Sequence, residues 1–150
     1  MKLRAALACS LAAALAFVTV SAHAQQYRTC SNDDATAAEK AAVALQSWTA
    51  VYDAYRRYGQ CDEGAVAEGF AGSVVKLLAV RWEQFEALHG LTLADPGFRQ
   101  FVMNHVYATG SESSLRIVIR NATQRCGSDA KPLCRDLERA AQTSIREGSE

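Results

Sequence analysis

Apolar residues recur at helical spacing along most of the chain, and strand-like alternation never persists for more than a few residues. Five amphipathic segments follow from this spacing, and capping residues, glycines or the Asp95-Pro96 pair bound them. They cover residues 35–58, 62–90, 95–110, 111–126 and the chain from 129 onward. Ser47 is suited to cap a second start, so the first segment can be broken there. The pattern predicts an all-α fold, a compact bundle of about five amphipathic helices.

The first 24 residues have the three parts of a secretory signal peptide. Lys2 and Arg4 give a basic start, residues 5–20 carry no charge, and Ala22-His23-Ala24 fits a signal peptidase site. The uncharged run of about 16 residues is shorter than the ~20 that a membrane-spanning helix needs. We therefore predict cleavage after Ala24, no transmembrane anchor, and a single helical domain over 25–150 that is periplasmic or secreted.

The balance of charge bears on the partner of the chain, and its hydrophobic content bears on whether the chain folds. The chain has 16 basic and 16 acidic side chains, so no electrostatic attraction favours binding to nucleic acid. Hydrophobic residues make up 49 % of the chain, which excludes an intrinsically disordered protein.

Four cysteines follow the predicted signal peptide. Cys126 ends the fourth segment and Cys134 begins the fifth, both on apolar sides, so we predict a disulfide bond across this hairpin. Cys30 and Cys61 flank the first segment, whose ends would lie ~36 Å apart if it were one straight helix. A disulfide tolerates at most ~7 Å between Cα atoms. Either the helix breaks near Ser47, or Cys30 pairs elsewhere, or both cysteines stay free.

Motifs that carry chemistry are not found. The chain has no G-x-S-x-G elbow, H-E-x-x-H, phosphate-binding glycine loop, CxxC or CxxCH, so we predict no catalytic residue, cofactor site or metal site. His89 precedes Gly90 and is interpreted as a cap at a helix C-terminus. His105 lies on an apolar helix face, which indicates a hydrogen-bonded core histidine.

Four charged residues of the second segment are the other candidates. Arg81 falls within its apolar stripe, so we expect a buried guanidinium that is paired with a carboxylate or reaches an edge of the core. Asp62, Glu63 and Glu68 lie near the start of the same segment, where acids complement the helix dipole. The three acids are also a candidate epitope for a protein partner.

The layout resembles a family of exported proteins. Cys61-Asp62-Glu63-Gly64 leads into a helix that contains Gly72, a later helix starts at Asp95-Pro96 and contains Phe101-Val102, and Cys134 closes the region. This arrangement resembles the periplasmic immunity proteins that neutralise peptidoglycan amidases delivered by type VI secretion. The resemblance implies a helical domain that blocks an effector enzyme with a loop or a helix end, and it assigns no residue role.

The leading hypothesis is a periplasmic protein-binding domain, an inhibitor or immunity protein against a cell-wall-targeting effector. One alternative is a small periplasmic enzyme, a cell-wall hydrolase, that would use Arg81, His105, Asp62 and Glu68. Another is a stress chaperone whose helices open to expose apolar surface. A convergent polar pocket would favour the enzyme, whereas an exposed binding surface would favour the protein-binding domain.

Overall fold

The computed structural model describes residues 29–108 and 111–148, and these residues form an all-α fold without strands. The predicted signal peptide lies outside this range. Seven α-helices are present in the described residues: α1 (Asn32–Ala42), α2 (Trp48–Tyr58), α3 (Gly64–Val80), α4 (Phe85–Ala94), α5 (Pro96–Ala108), α6 (Glu112–Gln124) and α7 (Lys131–Glu147). Short 3-10 turns follow α2 and α3. The fold class is confirmed, and the helix count exceeds five because two predicted segments are each broken in two.

The first break lies at Ser47. Its hydroxyl oxygen accepts a hydrogen bond from the backbone N–H of Ala50 (3.2 Å) and caps α2, as predicted. Since α1 and α2 are separate, the chain folds back and brings Cys30 to Cys61, with 5.0 Å between their Cα atoms. Of the three alternatives for these cysteines, the broken helix with a Cys30–Cys61 disulfide is the one observed.

The second break interrupts the predicted 62–90 helix at Arg81, where the backbone leaves the helical conformation (φ −126°, ψ 39°). Asn121, a buried residue of α6, donates its side-chain amide to the carbonyl oxygens of Leu78 (3.0 Å) and Ala79 (3.1 Å). In a continuous helix those carbonyls would instead accept from the backbone four residues further along. A contact from α6 therefore satisfies the C-terminus of α3 and allows the chain to turn into α4.

Helix α3 lies at the centre and contacts α1, α2, α5 and α6. Nine of its 17 residues are buried, which fits a helix surrounded by neighbours. The largest fully buried side chains come from six of the seven helices: Trp48, Val51, Phe70, Val74, Leu77, Leu78, Leu88, Phe98, Val102, Leu115, Leu133 and Leu137. One continuous hydrophobic core joins them.

The predicted start of the helix at Asp95-Pro96, here α5, and the predicted α6–α7 hairpin are both observed. The Asp95 carboxylate accepts from the backbone N–H of Phe98 (3.0 Å) and caps α5. Helices α6 and α7 pack against each other more extensively than any other pair, and the predicted Cys126–Cys134 disulfide closes their connection.

Two disulfide bonds indicate an oxidising compartment outside the cytoplasm. In the described part of the chain, no helix is long and apolar enough to cross a bilayer.

Candidate functional site

His105 is a core histidine, as predicted, and both of its ring nitrogens have partners. Nδ1 lies 2.7 Å from the carbonyl oxygen of Phe101, which can only accept, so Nδ1 donates. Nε2 lies 2.9 Å from Asp62 Oδ1, and this contact is an ion pair when the ring carries a second proton. The side chain of His105 is only 4 % exposed. The pair therefore joins α5 to the turn that holds Cys61.

This contact predicts a structural effect rather than a catalytic one. Asp62→Ala should lower the free energy of unfolding by about 1–2 kcal/mol, because it leaves a buried ring nitrogen without a partner. Asp62→Asn should lower the free energy of unfolding by less, since its side-chain amide can still hydrogen-bond to Nε2 of His105. Urea denaturation measures both, and Glu63→Ala at the exposed neighbouring position is the control with a change near zero. Equal stability of Asp62→Ala and the wild-type chain would show that the pair does not contribute.

Arg81 is not buried, so that part of the prediction is wrong. Its side chain is 47 % exposed and its Nε donates to Glu83 Oε1 at 2.5 Å. The break after α3 changes the helical register, and Arg81 therefore leaves the apolar stripe. Hydrogen bonding from Arg81 lowers the pKa of the Glu83 carboxyl below its ordinary value. The expected ion pair exists, but it lies at the surface.

The two tyrosines of α2 form a partly buried polar junction with the start of α5. The Tyr52 hydroxyl donates to Asp95 Oδ2 (3.2 Å), while the other carboxylate oxygen caps α5. Burial raises the pKa of the Tyr55 hydroxyl above its ordinary value, and the nearby Asp95 charge adds to the effect. Tyr55 also packs against Phe98 and Phe101, so this junction belongs to the core.

His89 does not cap a helix C-terminus, and that prediction is wrong. Helix α4 continues through Gly90 to Ala94, because neighbouring residues such as Leu88 and Thr92 are buried and hold the helix in place. His89 is 7 % exposed and faces the loop between α6 and α7. There its Nδ1 lies 3.7 Å from Asp129 Oδ2, which is longer than a hydrogen bond.

A groove of about 410 Å³ lies between α1 and α3. Glu39 of α1 and Val43, which directly follows α1, line one side, and Val43 is an exposed apolar residue. Glu68, Gly72 and Lys76 of α3 line the other. No ion pair reaches Glu39, Glu68 or Lys76 from any other described residue, so all three charges are available to a partner.

Gly69 and Gly72 both line this groove, and their surroundings differ. At Gly69 an added Cβ would lie 2.9 Å from the Cβ of Ala42, so glycine is needed for the close contact between α1 and α3. The hydroxyl of Ser73 donates to the carbonyl oxygen of Ala42 and caps α1 at the same contact. At Gly72 an added Cβ would meet nothing within 4 Å. Close helix packing therefore explains the glycine at 69 and does not explain the glycine at 72.

The acids and the enzyme candidates do not converge on one site. Asp62 is bound to His105, Glu63 lies at the exposed start of α3, and Glu68 lines the groove. Arg81 follows the far end of α3, ~25 Å from Asp62 by the length of that helix. The described residues therefore contain no polar pocket that unites Arg81 with the Asp62–His105 pair.

No family model, curated protein or solved structure matches the chain. The candidate sites therefore rest on the geometry of the described residues. Glu39 and Val43 of the groove were not predicted, because no local pattern shows that α1 packs beside α3.

Proposed function

We propose that the chain is a periplasmic protein-binding domain that acts as an inhibitor or immunity protein against a cell-wall-targeting effector, and that the α1–α3 groove is its docking site. The single observation that carries the docking site is Gly72. This residue is exposed in the middle of a 17-residue helix, where glycine destabilises the helix by about 1 kcal/mol relative to alanine.

The fold has no need of glycine at this position. An alanine Cβ would contact no other atom within 4 Å, so neither packing nor backbone strain explains the residue. What the absent side chain does provide is an uncovered stretch of helix beside the groove. Such a position suits close approach by the backbone or an aliphatic side chain of another protein.

The charges beside Gly72 favour a partner segment with a basic side chain. Glu39 and Glu68 face the groove from opposite sides and have no cationic partner in the described residues. Lys76 lies one turn beyond Gly72, so an acidic group of the partner would be preferred at that end of the groove. Val43, which is 67 % exposed, offers an apolar contact in the same groove.

Other observations support binding over turnover and export over a cytoplasmic role. The candidate catalytic groups are separated, and His105 is held by two hydrogen bonds inside the core. Two disulfide bonds fit the periplasm. The resemblance in layout to immunity proteins of secreted amidases suggests an enzyme that degrades the cell wall as the partner.

Affinity capture with matched variants tests the proposal. The wild-type chain, immobilised, should retain a stoichiometric partner from periplasmic and secreted proteins, and it should inhibit peptidoglycan hydrolysis by that partner. Glu68→Arg should abolish retention because it replaces an attractive charge in the groove by a repulsive one. Asp53→Arg makes the same change on the exposed face of α2, outside the groove, and should retain the partner.

Two results would overturn the proposal. One is equal capture by wild type and Glu68→Arg, which would place the contact elsewhere. The other is peptidoglycan hydrolysis by the purified chain alone, which would favour the enzyme.

A further inference from the structure

Three potential metal ligands meet where α4 faces the α6–α7 connection. Glu86 and His89 lie on α4, three residues apart and therefore on the same helix face. Asp129 comes from the loop that the Cys126–Cys134 disulfide closes. One ligand atom from each residue lies within 4.8 Å of the other two.

The histidine is the informative member of this cluster. Its side chain is only 9 % exposed, and its Nδ1 lies 3.7 Å from Asp129 Oδ2, beyond hydrogen-bond distance. Every side-chain nitrogen or oxygen that is fully buried in the described residues has a hydrogen-bonding partner, so a His89 ring nitrogen without one keeps contact with solvent. His105, the other histidine in residues 25–150, has partners at both ring nitrogens. The Nδ1 of His89 is thus open to an ion and lies beside the Asp129 carboxylate, and Glu86 offers a second carboxylate in the same cluster.

The two carboxylates are placed to reach the same point. Glu86 and Asp129 are exposed, so their side chains rotate at little cost. A metal ion with bonds of about 2.0–2.2 Å holds its ligand atoms ~3.4 Å apart. Side-chain rotations that shorten the 4.8 Å separation by about 1.4 Å therefore close the site.

We infer that Glu86, His89 and Asp129 bind a divalent cation of the zinc class. An imidazole nitrogen with two carboxylates suits Zn²⁺, whereas Ca²⁺ and Mg²⁺ prefer all-oxygen sites. Three protein ligands leave a coordination position open for water or for a group of a bound partner. The ion would join α4 to the α6–α7 connection.

Titration of the untagged chain, purified from a periplasmic extract, with Zn²⁺ tests this inference. Long-range proton–nitrogen NMR follows the two histidine rings separately. The His89 signals should shift in a saturable way with one equivalent of Zn²⁺, and the His105 signals should stay in place. Ca²⁺ at the same concentration should shift neither.

Variants of the exposed ligands avoid disturbing the core. Glu86→Gln and Asp129→Asn should each weaken Zn²⁺ binding at least tenfold in calorimetry, with circular dichroism unchanged. Glu83→Gln, one helical turn before Glu86, is the matched control and should bind as the wild-type chain does. The inference fails if Zn²⁺ causes no saturable shift of His89 at sub-millimolar concentration. It also fails if Asp129→Asn and Glu83→Gln bind Zn²⁺ equally.

Discussion

Replacement of Cys30 and Cys61 by serine should lower the free energy of unfolding by about 3.7 kcal/mol. The two residues are 31 positions apart, so the bridge removes a large amount of loop entropy from the unfolded chain. It also holds the start of α1 to the turn after α2, where Asp62 contacts His105. Urea denaturation measures the change as a shift of the midpoint.

Removal of the Cys126–Cys134 disulfide is the comparison for this loss of stability. Cys126 and Cys134 are eight positions apart, and the same reasoning gives about 2.5 kcal/mol for their replacement by serine. The order of the two losses is the informative result, since both double variants make the same chemical change. A smaller loss for the Cys30/Cys61 variant would show that the α1–α2 region contributes little to the cooperative fold.

Substitution of Gly69 and Gly72 by alanine should change stability in opposite directions. Gly69→Ala should destabilise the chain by about 1–3 kcal/mol, because the new Cβ would lie 2.9 Å from Ala42 and force α1 away from α3. Gly72→Ala should stabilise it by about 0.5–1 kcal/mol, since it improves helix propensity without a new contact.

Each glycine variant controls for the other, because both add one methyl group to the same helix three residues apart. The free energies of unfolding of the two variants, measured by thermal and urea denaturation, should therefore differ by about 1.5–4 kcal/mol. Destabilisation by Gly72→Ala would mean that the fold itself requires glycine there. The case for a binding role of Gly72 would then be lost.

Much of the fold was predictable because its signals are local. The helical spacing of apolar residues, the caps at Ser47 and Asp95, and the short interval between Cys126 and Cys134 all act within a few residues. These features determined the helix class, several boundaries and one disulfide bond.

The features that sequence analysis missed depend on distant partners. The break at Arg81 is stabilised by Asn121, about 40 residues further along the chain, and no pattern near Arg81 indicates that contact. His89 was misplaced because Gly90 resembles a helix stop, whereas tertiary packing carries α4 past it. The spacing of Glu86 and His89 was visible, but Asp129 joins them only in the folded chain.

The candidate docking site shows the same limit. The sequence places Glu68 and Gly72 on one helix. It does not show that the two positions face a groove. That groove depends on α1, which brings Glu39 and Val43 to its other side. The distinction between Gly69 and Gly72 likewise needs the position of Ala42.

The affinity of the Gly72→Leu variant for the captured partner tests the central claim most directly. Leucine at this position meets no atom of the fold at its Cβ, so the variant should remain folded while its side chain occupies the groove. Calorimetric titration of the purified partner should give a dissociation constant at least tenfold higher than that of the wild-type chain. An unchanged dissociation constant, with the variant folded and the groove filled, would contradict docking at the α1–α3 groove.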